Sequence, residues 1–369
     1  MSNNWYLIEN INELDSPALV VYPQRVKENI ATLKSMVDDV QRLRPHIKTN
    51  KTKEATQLML EAGITKFKCA TIAEAEMLGL SGAPDVLLAY QPVGPKLQRF
   101  LHLTQQYPST RYSCLVDNTA SAREIAAAFA SAGTTALVYI DLNVGQNRTG
   151  IAPDETAIAL YNYCAQLTGL SVAGLHAYDG HVRGTLEERT ATSNEAFARV
   201  EKMQQSLQKM GSNNITIVAG GSPSFPIHAK RKDVECSPGT FIFWDKGYTD
   251  QCPEQPFNVA ALVVTRVISL PTATQICVDL GHKSIAAENE LAKRVFFPQA
   301  PDLKPVSQSE EHLVLEAGAG HPFKPGDVLY GIPQHVCPTV ALYERAYTVE
   351  NGNVSGEWKI VARDRKISL

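Results

Sequence analysis

The chain has 369 residues, of which 44% are hydrophobic and 20% charged, an ordinary composition for a globular protein and enough length for two domains. Its net charge is −3, and no stretch combines basic and aromatic residues, so we expect no nucleic acid partner. There is no run of about 18 apolar residues and no basic, apolar leader, so we expect no membrane partner and a cytoplasmic location. The seven cysteines form no CxxC pair, which argues against a disulfide framework.

Short apolar runs that alternate with amphipathic stretches dominate the first two thirds of the chain. Alternating strands and helices are typical of parallel βαβ units, and eight of them indicate a closed, TIM-type (β/α)8 barrel in the α/β class. A doubly wound sheet is the main alternative, but it normally carries a glycine-rich nucleotide turn, and neither GxGxxG nor GxxxxGK[ST] occurs. The eight predicted strands cover residues 18–22, 43–48, 66–71, 85–90, 111–117, 136–143, 170–178 and 214–221.

The pattern changes toward the C-terminus. From about Asn258 onward, β-type runs are separated by proline and glycine turns with little helix, which predicts a second, mostly β domain. The opening residues are too few for a domain and are expected to pack against it. We therefore predict a barrel at residues 18–250 and a β domain formed by residues 1–17 and 251–369.

The segment LRPHIKTNK places Lys48 at the end of a predicted barrel strand. That edge of a barrel holds active sites, and lysine forms Schiff bases with carbonyl cofactors. The segment resembles the PHxKTHK motif of the fold-type III pyridoxal phosphate (PLP) enzymes, which include D-threonine aldolase, zinc-dependent D-serine dehydratase and the 3-hydroxyaspartate lyases. The resemblance implies a barrel of the alanine racemase kind in which Lys48 carries PLP. Asn50 stands where that family usually has histidine.

A glycine-framed polar loop, DLNVGQNRTG, follows the sixth predicted strand and holds Asn143, Gln146, Asn147 and Arg148. An ordinary polar turn would look similar. The run resembles the family segment VGxxRxG, which implies that Arg148 bonds to the phenolic oxygen of PLP. A guanidinium has a fixed charge that would stabilise a phenolate.

The seventh predicted strand ends in GLHAYDGHVRG. A histidine on a strand is commonly a satisfied core residue, so we interpret His176 as structural. Tyr178 and His181 resemble the family element YxGH. The resemblance implies that Tyr178 lies against the cofactor ring and that His181 acts near the substrate.

The run AGGSPSF follows the eighth predicted strand. Its glycines allow backbone N–H groups to approach an anion, and a helix starting nearby would add its positive end, although glycine also suits a plain turn. The run resembles the family's phosphate turn, which implies phosphate binding by Gly220, Gly221 and Ser222. The stretch CSPGTFIFWD resembles the family's PGxYxFxD, which implies that Thr240 and Asp245 line or brace the same end.

The predicted β domain contains IPQHVCPTVAL. His335 and Cys337 are two residues apart, so on an extended segment they leave from the same face. Imidazole and thiolate together suit zinc, although an isolated HxC is commonly a turn before proline. The motif resembles the metal segment of the D-serine dehydratase and D-threonine aldolase group. This implies a divalent metal, zinc or alternatively manganese, bound by these two residues.

The resemblance implies a lyase acting on D-β-hydroxyamino acids. Some aldolases of the group carry HxD, whereas the dehydratases carry HxC, so Cys337 favours a D-serine or D-threo-3-hydroxyaspartate dehydratase. The alternative is a D-threonine or 3-hydroxyaspartate aldolase. A racemase ranks third because its partner tyrosine motif is not found, and a PLP homeostasis protein would lack the metal-bearing domain. The resemblance also implies a head-to-tail homodimer.

Overall fold

The computed structural model describes residues 4–369. Its strands in this range are β1 (Ala18–Val21), β2 (Lys66–Cys69), β3 (Asp85–Leu88), β4 (Arg111–Val116), β5 (Ala136–Asp141), β6 (Leu170–Ala177), β7 (Thr216–Ala219), β8 (Val234–Cys236), β9 (Ala261–Ser269), β10 (Gln275–Val278), β11 (Val295–Phe296), β12 (Lys304–Gln308), β13 (Leu313–Glu316), β14 (Val328–Pro333), β15 (Arg345–Glu350) and β16 (Asn353–Lys359). Its α-helices are α1 (Pro23–Ser35), α2 (Lys53–Glu61), α3 (Ile72–Leu80), α4 (Pro95–Gln106), α5 (Thr119–Ser131), α6 (Glu155–Gln166), α7 (Leu186–Lys209), α8 (Phe225–His228), α9 (Lys246–Gln251) and α10 (Val336–Leu342).

The chain divides into two compact units. The barrel unit comprises Leu33–Lys48, Thr56–Gly239 and Asp364–Leu369. The β unit runs up to Thr32 and adds Thr49–Ala55 and Thr240–Arg363. The predicted domain boundaries stay a prediction, and the part of it that concerns residues 1–3 lies outside the described residues.

The barrel unit is built on a parallel sheet in which β2 to β8 follow one another in chain order. Residues 43–46, which precede β2, pair with both edges of this sheet. Leu43 bridges to Cys236 of β8, and His46 bridges to Lys68 of β2, both in parallel. The sheet therefore closes on itself, and the chain has the predicted α/β barrel with a mostly β second part.

The membership of the eight barrel strands differs from the prediction at two places. Ala18–Val21 is not a barrel strand; it lies in the β unit, where it pairs antiparallel with β9 and parallel with β15. All four of its residues are buried, and such a run looks the same in either sheet. The missed barrel strand is Val234–Cys236, three residues with a central glutamate, too short and polar for an apolar pattern to reveal. The run AGGSPSF consequently follows the seventh barrel strand.

Side-chain caps fix where several helices of the barrel unit begin. Thr71, Asn118 and Thr185 accept hydrogen bonds from backbone N–H groups at the start of α3, α5 and α7. These caps satisfy donors that a helix leaves unpaired at its first turn. Each helix start therefore follows the C-terminal end of a strand at a defined point, which shapes the loops at that edge of the barrel.

The β unit is built on a nine-stranded sheet with β9 and β1 at its centre. Tyr6, Ile8 and Leu14 belong to its buried core together with Leu262 and Tyr330. The Ile8 N–H donates to Tyr330 Oη at 3.2 Å. The opening segment is thus held by apolar burial and by backbone bonding within this unit. Among residues 4–369, no helix has the length and apolar character needed to cross a membrane.

The end of the barrel where its strands begin is closed by an ion cluster around Arg44. The Arg44 guanidinium is almost fully buried, 2.5 Å from Asp85 Oδ1 and 2.7 Å from Glu235 Oε2. Lys66 also pairs with Glu235. Asp85 and Glu235 need these positive partners, because an unpaired charge in the interior is strongly destabilising.

We predict that Arg44→Met lowers the free energy of unfolding by about 3 kcal/mol, because the buried Glu235 and the partly buried Asp85 each lose their buried cationic partner. Arg111→Met is the matched control: Arg111 lies 3.6 Å from the same Asp85 but its side chain is 62% exposed, so a loss under about 1 kcal/mol is expected. Urea unfolding followed by circular dichroism measures both. Equal losses in the two variants would contradict the assignment.

Candidate functional site

Lys48 lies just beyond the segment that closes the barrel. Strand pairing ends at His46, and the chain then turns through the 3-10 helix Ile47–Thr49 rather than continuing as the predicted strand to residue 48. The Lys48 N–H donates to His46 Nδ1 at 3.3 Å. Lys48 lines a cavity of about 280 Å³ formed by residues of the barrel unit. This turn places Lys48 at the edge where barrel enzymes carry their active sites.

Arg148 and Tyr178 line the same cavity as Lys48. Arg148 Cζ lies 5.2 Å from the centre of the Tyr178 ring, a cation–π distance. The ring packs directly on two glycines, since an added Cβ would lie 2.3 Å from it at Gly180 and 2.9 Å from it at Gly221. A side chain at either position would displace the ring from its place in the cavity.

Two buried polar atoms in this region have no hydrogen-bond partner within the described part of the chain. They are Gln146 Oε1 and His181 Nδ1. Gln146 lines the cavity, whereas His181 contacts the same loop, with its Nε2 only 2.7 Å from where a Cβ of Gly145 would lie. A buried unpaired polar atom costs about 1–3 kcal/mol. A bound polar molecule that supplied the missing partners would offset that cost.

The cavity also holds a line of buried polar groups that the sequence did not indicate as functional. Lys68 Nζ lies 3.4 Å from His176 Nε2, and His176 Nδ1 lies 2.7 Å from Asp141 Oδ1. Burial, assisted by the charge of Lys48, lowers the pKa of Lys68 to about 7. Burial and the Lys68 charge also lower the pKa of His176. His176, interpreted from the sequence as structural, thus lies among the polar groups of the cavity.

A buried hydrogen-bond network holds the glycine turn at residues 220–222. The Gly221 N–H donates to Ser224 Oγ at 3.2 Å, and the Ser224 hydroxyl donates to Asp179 Oδ1 at 2.6 Å. Asp179 Oδ2 lies 2.8 Å from His228 Nε2. Because the Arg231 guanidinium can only donate to His228 Nδ1, His228 carries its proton on Nε2 and donates it to Asp179. Burial opposes ionisation of Asp179, but the hydrogen bonds from His228 and Ser224 outweigh it and lower its pKa.

The turn itself requires glycine. Gly220 has φ +77°, in the left-handed region, and an added Cβ would lie 2.7 Å from His228 Cδ2. Ser222 Oγ accepts a hydrogen bond from the Gly239 N–H at 3.4 Å. The backbone of the turn is therefore fixed before any ligand arrives, which is the property that an anion-binding turn needs.

In the β unit, His335 and Cys337 lie at the start of α10. His335 is the residue before the helix, and its Nδ1 lies 2.6 Å from Glu288 Oε1. Burial alone would lower the pKa of His335, but a hydrogen bond with Cys337 and the contact with Glu288 raise it to about 9. An imidazole held by a carboxylate through one nitrogen, with a thiol at hydrogen-bond distance, is typical of a metal-binding histidine.

Hydroxyl groups surround the Cys337 sulfur within the β unit. Thr49 Oγ1 lies 3.1 Å and Thr240 Oγ1 3.7 Å from Cys337 Sγ. Thr240, expected from the resemblance to contact the cofactor, is thus a neighbour of Cys337 in this unit, and its cofactor role stays a prediction. Asp245 accepts the Val336 N–H at 3.1 Å, which fixes the backbone between the two candidate ligands.

The donors in this motif fit a metal with open positions. Between residues 4 and 369, no group of three or more histidine, cysteine, aspartate or glutamate side chains is arranged to hold a metal ion. His335 and Cys337 supply one nitrogen and one sulfur, a pair that zinc accepts, and oxygen ligands from water or substrate can complete its tetrahedral shell.

Known families match nearly the whole chain. Residues 21–246 match the alanine racemase N-terminal domain, and residues 260–349 match the serine dehydratase domain. The chain is 30% identical to D-threonine aldolase from an Arthrobacter species, over 95% of this chain and 93% of that protein. It is 25% identical to D-threo-3-hydroxyaspartate dehydratase from a Delftia species, over 89% of this chain and 93% of that protein.

Solved structures of the same two enzyme types share the fold. D-threonine aldolase from Filomicrobium marinum superposes with a TM-score of 0.86 at 27% identity, over 95% of this chain and 96% of that one. A variant of D-threo-3-hydroxyaspartate dehydratase in its metal-free form superposes with a TM-score of 0.83 at 24% identity, over 94% of this chain and 97% of that one.

We predict that Glu288→Gln lowers the affinity for zinc about 10–100-fold, because the partner that orients His335 is weakened. His335→Ala should abolish stoichiometric binding, since a ligand is removed. Equilibrium dialysis with metal analysis measures both variants. His312→Ala is the control, an exposed histidine of the same unit, and should retain the metal. Full zinc binding by His335→Ala would refute the assignment.

Proposed function

We propose a reaction for this chain on the basis of its family. The chain belongs to the alanine racemase N-terminal domain family. Together with its serine dehydratase domain, this makes it a member of the fold-type III PLP-dependent lyases. Its relatives include an aldolase and a dehydratase named for D-amino acids that bear a β-hydroxyl group. We infer that this chain acts on substrates of that class and that D-serine or D-threo-3-hydroxyaspartate dehydration is its reaction.

The observation that carries the proposal is one cavity that contains Lys48, Arg148 and Tyr178. A lysine, a fixed cation and an aromatic ring are the three kinds of group that a phosphorylated pyridine aldehyde needs: a covalent anchor, a counter-charge for its phenolic oxygen and a face for its ring. Gln146 Oε1, which has no hydrogen-bond partner among residues 4–369, adds an acceptor to this cavity. These residues fit PLP, and we propose that they hold it.

PLP, when bound, supplies the electron sink that makes the bonds at the substrate α-carbon labile. The chain's own residues then decide which bond breaks. The glycine turn, fixed through Ser224 and Asp179, is proposed to hold the phosphate. In a dehydratase, the Lys48 amine takes the α-proton and the β-hydroxyl departs with a proton as water. The released enamine then takes up one water and hydrolyses to the keto acid and ammonia.

His335 and Cys337 are proposed to hold the metal, with zinc favoured over manganese because thiolate is a soft ligand. The metal would polarise the β-oxygen of the substrate as a Lewis acid. Asp245 and Glu288 are proposed to keep the two ligands in place, because one accepts from the backbone between them and the other bonds to the imidazole.

The second candidate is aldol cleavage to glycine and an aldehyde, favoured by the 30% identity to a D-threonine aldolase. It differs in the first proton removed, which comes from the β-hydroxyl rather than from the α-carbon. His181, whose buried Nδ1 has no partner among residues 4–369, is a candidate to take it. Cys337 favours the dehydratase, and racemisation ranks third. The homodimer stays a prediction that gel filtration tests.

We predict that the purified protein with PLP and zinc converts D-threo-3-hydroxyaspartate or D-serine to a keto acid and ammonia. Lys48→Ala should lower turnover by at least about 10³-fold and abolish the visible band of bound PLP, because the covalent anchor and the base are both lost. Lys53→Ala, a lysine of the neighbouring helix α2, is the control and should retain both properties. Keto acid, glycine and absorbance are followed together.

Glycine and aldehyde in place of keto acid would identify an aldolase. Formation of the other enantiomer without bond cleavage would identify a racemase. A normal PLP band without any product in the wild-type protein would overturn the lyase proposal and indicate a PLP-binding protein.

A further inference from the structure

Strand β2 carries two lysines, Lys66 and Lys68, whose spacing of two residues places them on the same face. Lys66 lies toward the start of the strand, where Glu235 neutralises it. Lys68 is buried and lines the cavity that holds Lys48. Its close polar contact within residues 4–369 is the imidazole of His176, which carries no negative charge. The two lysines therefore differ in their partners: a carboxylate neutralises Lys66, whereas Lys68 contacts a group without negative charge.

His176 is oriented so that its Nε2 accepts a hydrogen bond from Lys68. Its Nδ1 faces the Asp141 carboxylate at 2.7 Å, and a carboxylate can only accept there, so the imidazole proton lies on Nδ1. The Nε2 lone pair, 3.4 Å from Lys68 Nζ, then accepts from the ammonium. One of three ammonium N–H groups is used in this way. Asp141 and His176 thus hold the lysine in position without neutralising it.

The cavity has more positive than negative groups. Lys48, Lys68 and Arg148 line it, whereas Asp141 is the carboxylate among the lining residues. Lys68 Nζ lies 5.4 Å and Arg148 Cζ 5.2 Å from the centre of the Tyr178 ring, so two cations converge on one aromatic side chain. An anionic ligand beside that ring would be attracted by both.

We propose that Lys68 is a binding residue for an anionic oxygen in this cavity, held in place by the His176–Asp141 pair. The oxygen belongs either to the cofactor or to the side-chain carboxylate of a substrate such as D-threo-3-hydroxyaspartate. The proposal rests on the proposed function for the identity of these ligands, but its test by ligand binding does not require turnover. A lysine kept only for packing could be replaced by an apolar side chain of similar length without loss of ligand affinity. A lysine that binds an anionic oxygen could not.

Stability gives one arm of the test. The groups that face Lys68 are the cations Arg44, Lys48 and Arg148, the carboxylates Asp141 and Asp179, the imidazole of His176 and the ring of Tyr178. Burial brings the pKa of Lys68 from 10.5 to about 7, so between these values the unfolded chain holds a proton that the folded chain lacks. Folding stability therefore rises with pH across this window because of Lys68, and below it the full cost of burying the charge is present.

Lys68→Met removes that cost. We expect its melting temperature at pH 7 to equal or exceed that of the wild type by a few degrees, and its stability to rise less between pH 7 and 10. Lys66→Met, the matched control on the same face, should melt lower because Glu235 loses a partner. A drop in the melting temperature of Lys68→Met as large as that of Lys66→Met would mark Lys68 as structural and overturn the proposal.

Ligand binding gives the second arm. Pyridoxamine 5′-phosphate has an amine in place of the aldehyde and does not bond covalently to Lys48, so its affinity for the apoprotein reports the noncovalent contacts. We expect Lys68→Met to bind it about tenfold more weakly by calorimetry, about 1.4 kcal/mol, and Lys66→Met to bind it normally. Wild-type affinity should fall as pH rises above about 7, whereas Lys68→Arg, which keeps its charge, should bind without that fall.

The third arm separates the two sources of the oxygen. If pyridoxamine phosphate binds Lys68→Met normally, the KM for D-threo-3-hydroxyaspartate should rise at least tenfold while that for D-threonine is unchanged, because only the former carries a second carboxylate. If neither affinity nor KM changes, the proposal is wrong. A wild-type protein that binds pyridoxamine phosphate without lyase turnover would refute the proposed function but leave the binding arm to decide the role of Lys68.

Discussion

The pairing of residues 43–46 with both β8 and β2 is the constraint on which the barrel unit depends. Without these backbone bonds, the seven strands β2 to β8 would form an open sheet with two unsatisfied edges. The same segment carries Lys48 immediately after its last paired residue. The same segment therefore closes the barrel and positions the candidate cofactor lysine. A shift in its register would disrupt the closure and displace Lys48.

Charge is distributed along the barrel axis in two different ways. At the end where the strands begin, Arg44 and Lys66 are matched by Asp85 and Glu235, so the interior is neutralised by the protein itself. At the other end, positive side chains exceed carboxylates in the cavity. A protein tolerates an uncompensated buried charge only at a cost in stability, and such costs are concentrated at functional sites. The contrast supports a ligand with negative charge at that end.

The sequence predicted the fold class, whereas the roles of the motif residues stay a prediction. Lys48, Arg148 and Tyr178 lie in loops or turns after strands, where polar residues in glycine-framed runs stand out, and the structure brings them to one cavity. Ala18–Val21 was assigned to the wrong sheet because full burial erases the alternation that distinguishes one sheet from another. Lys68 was missed because a lysine within a strand normally indicates an exposed face, and in a barrel the same spacing points inward. The spacing of two residues between Lys66 and Lys68 was the sequence feature that could have indicated an inward-facing lysine.

The choice between dehydration and aldol cleavage depends on which proton is removed first, and hence on the placement of a base rather than on the list of residues. In the proposed site, both reactions would use a lysine anchor, a cation for the phenolic oxygen and a Lewis acid for the β-oxygen. A base directed at the α-carbon gives a keto acid, and a base directed at the β-hydroxyl gives glycine. Because sequence motifs record residue types and not the direction of a lone pair, relatives that match nearly the whole of this chain can carry either name. The reaction is decided by side-chain geometry within a common scaffold, so similarity alone assigns the class of lyase and product analysis assigns the bond.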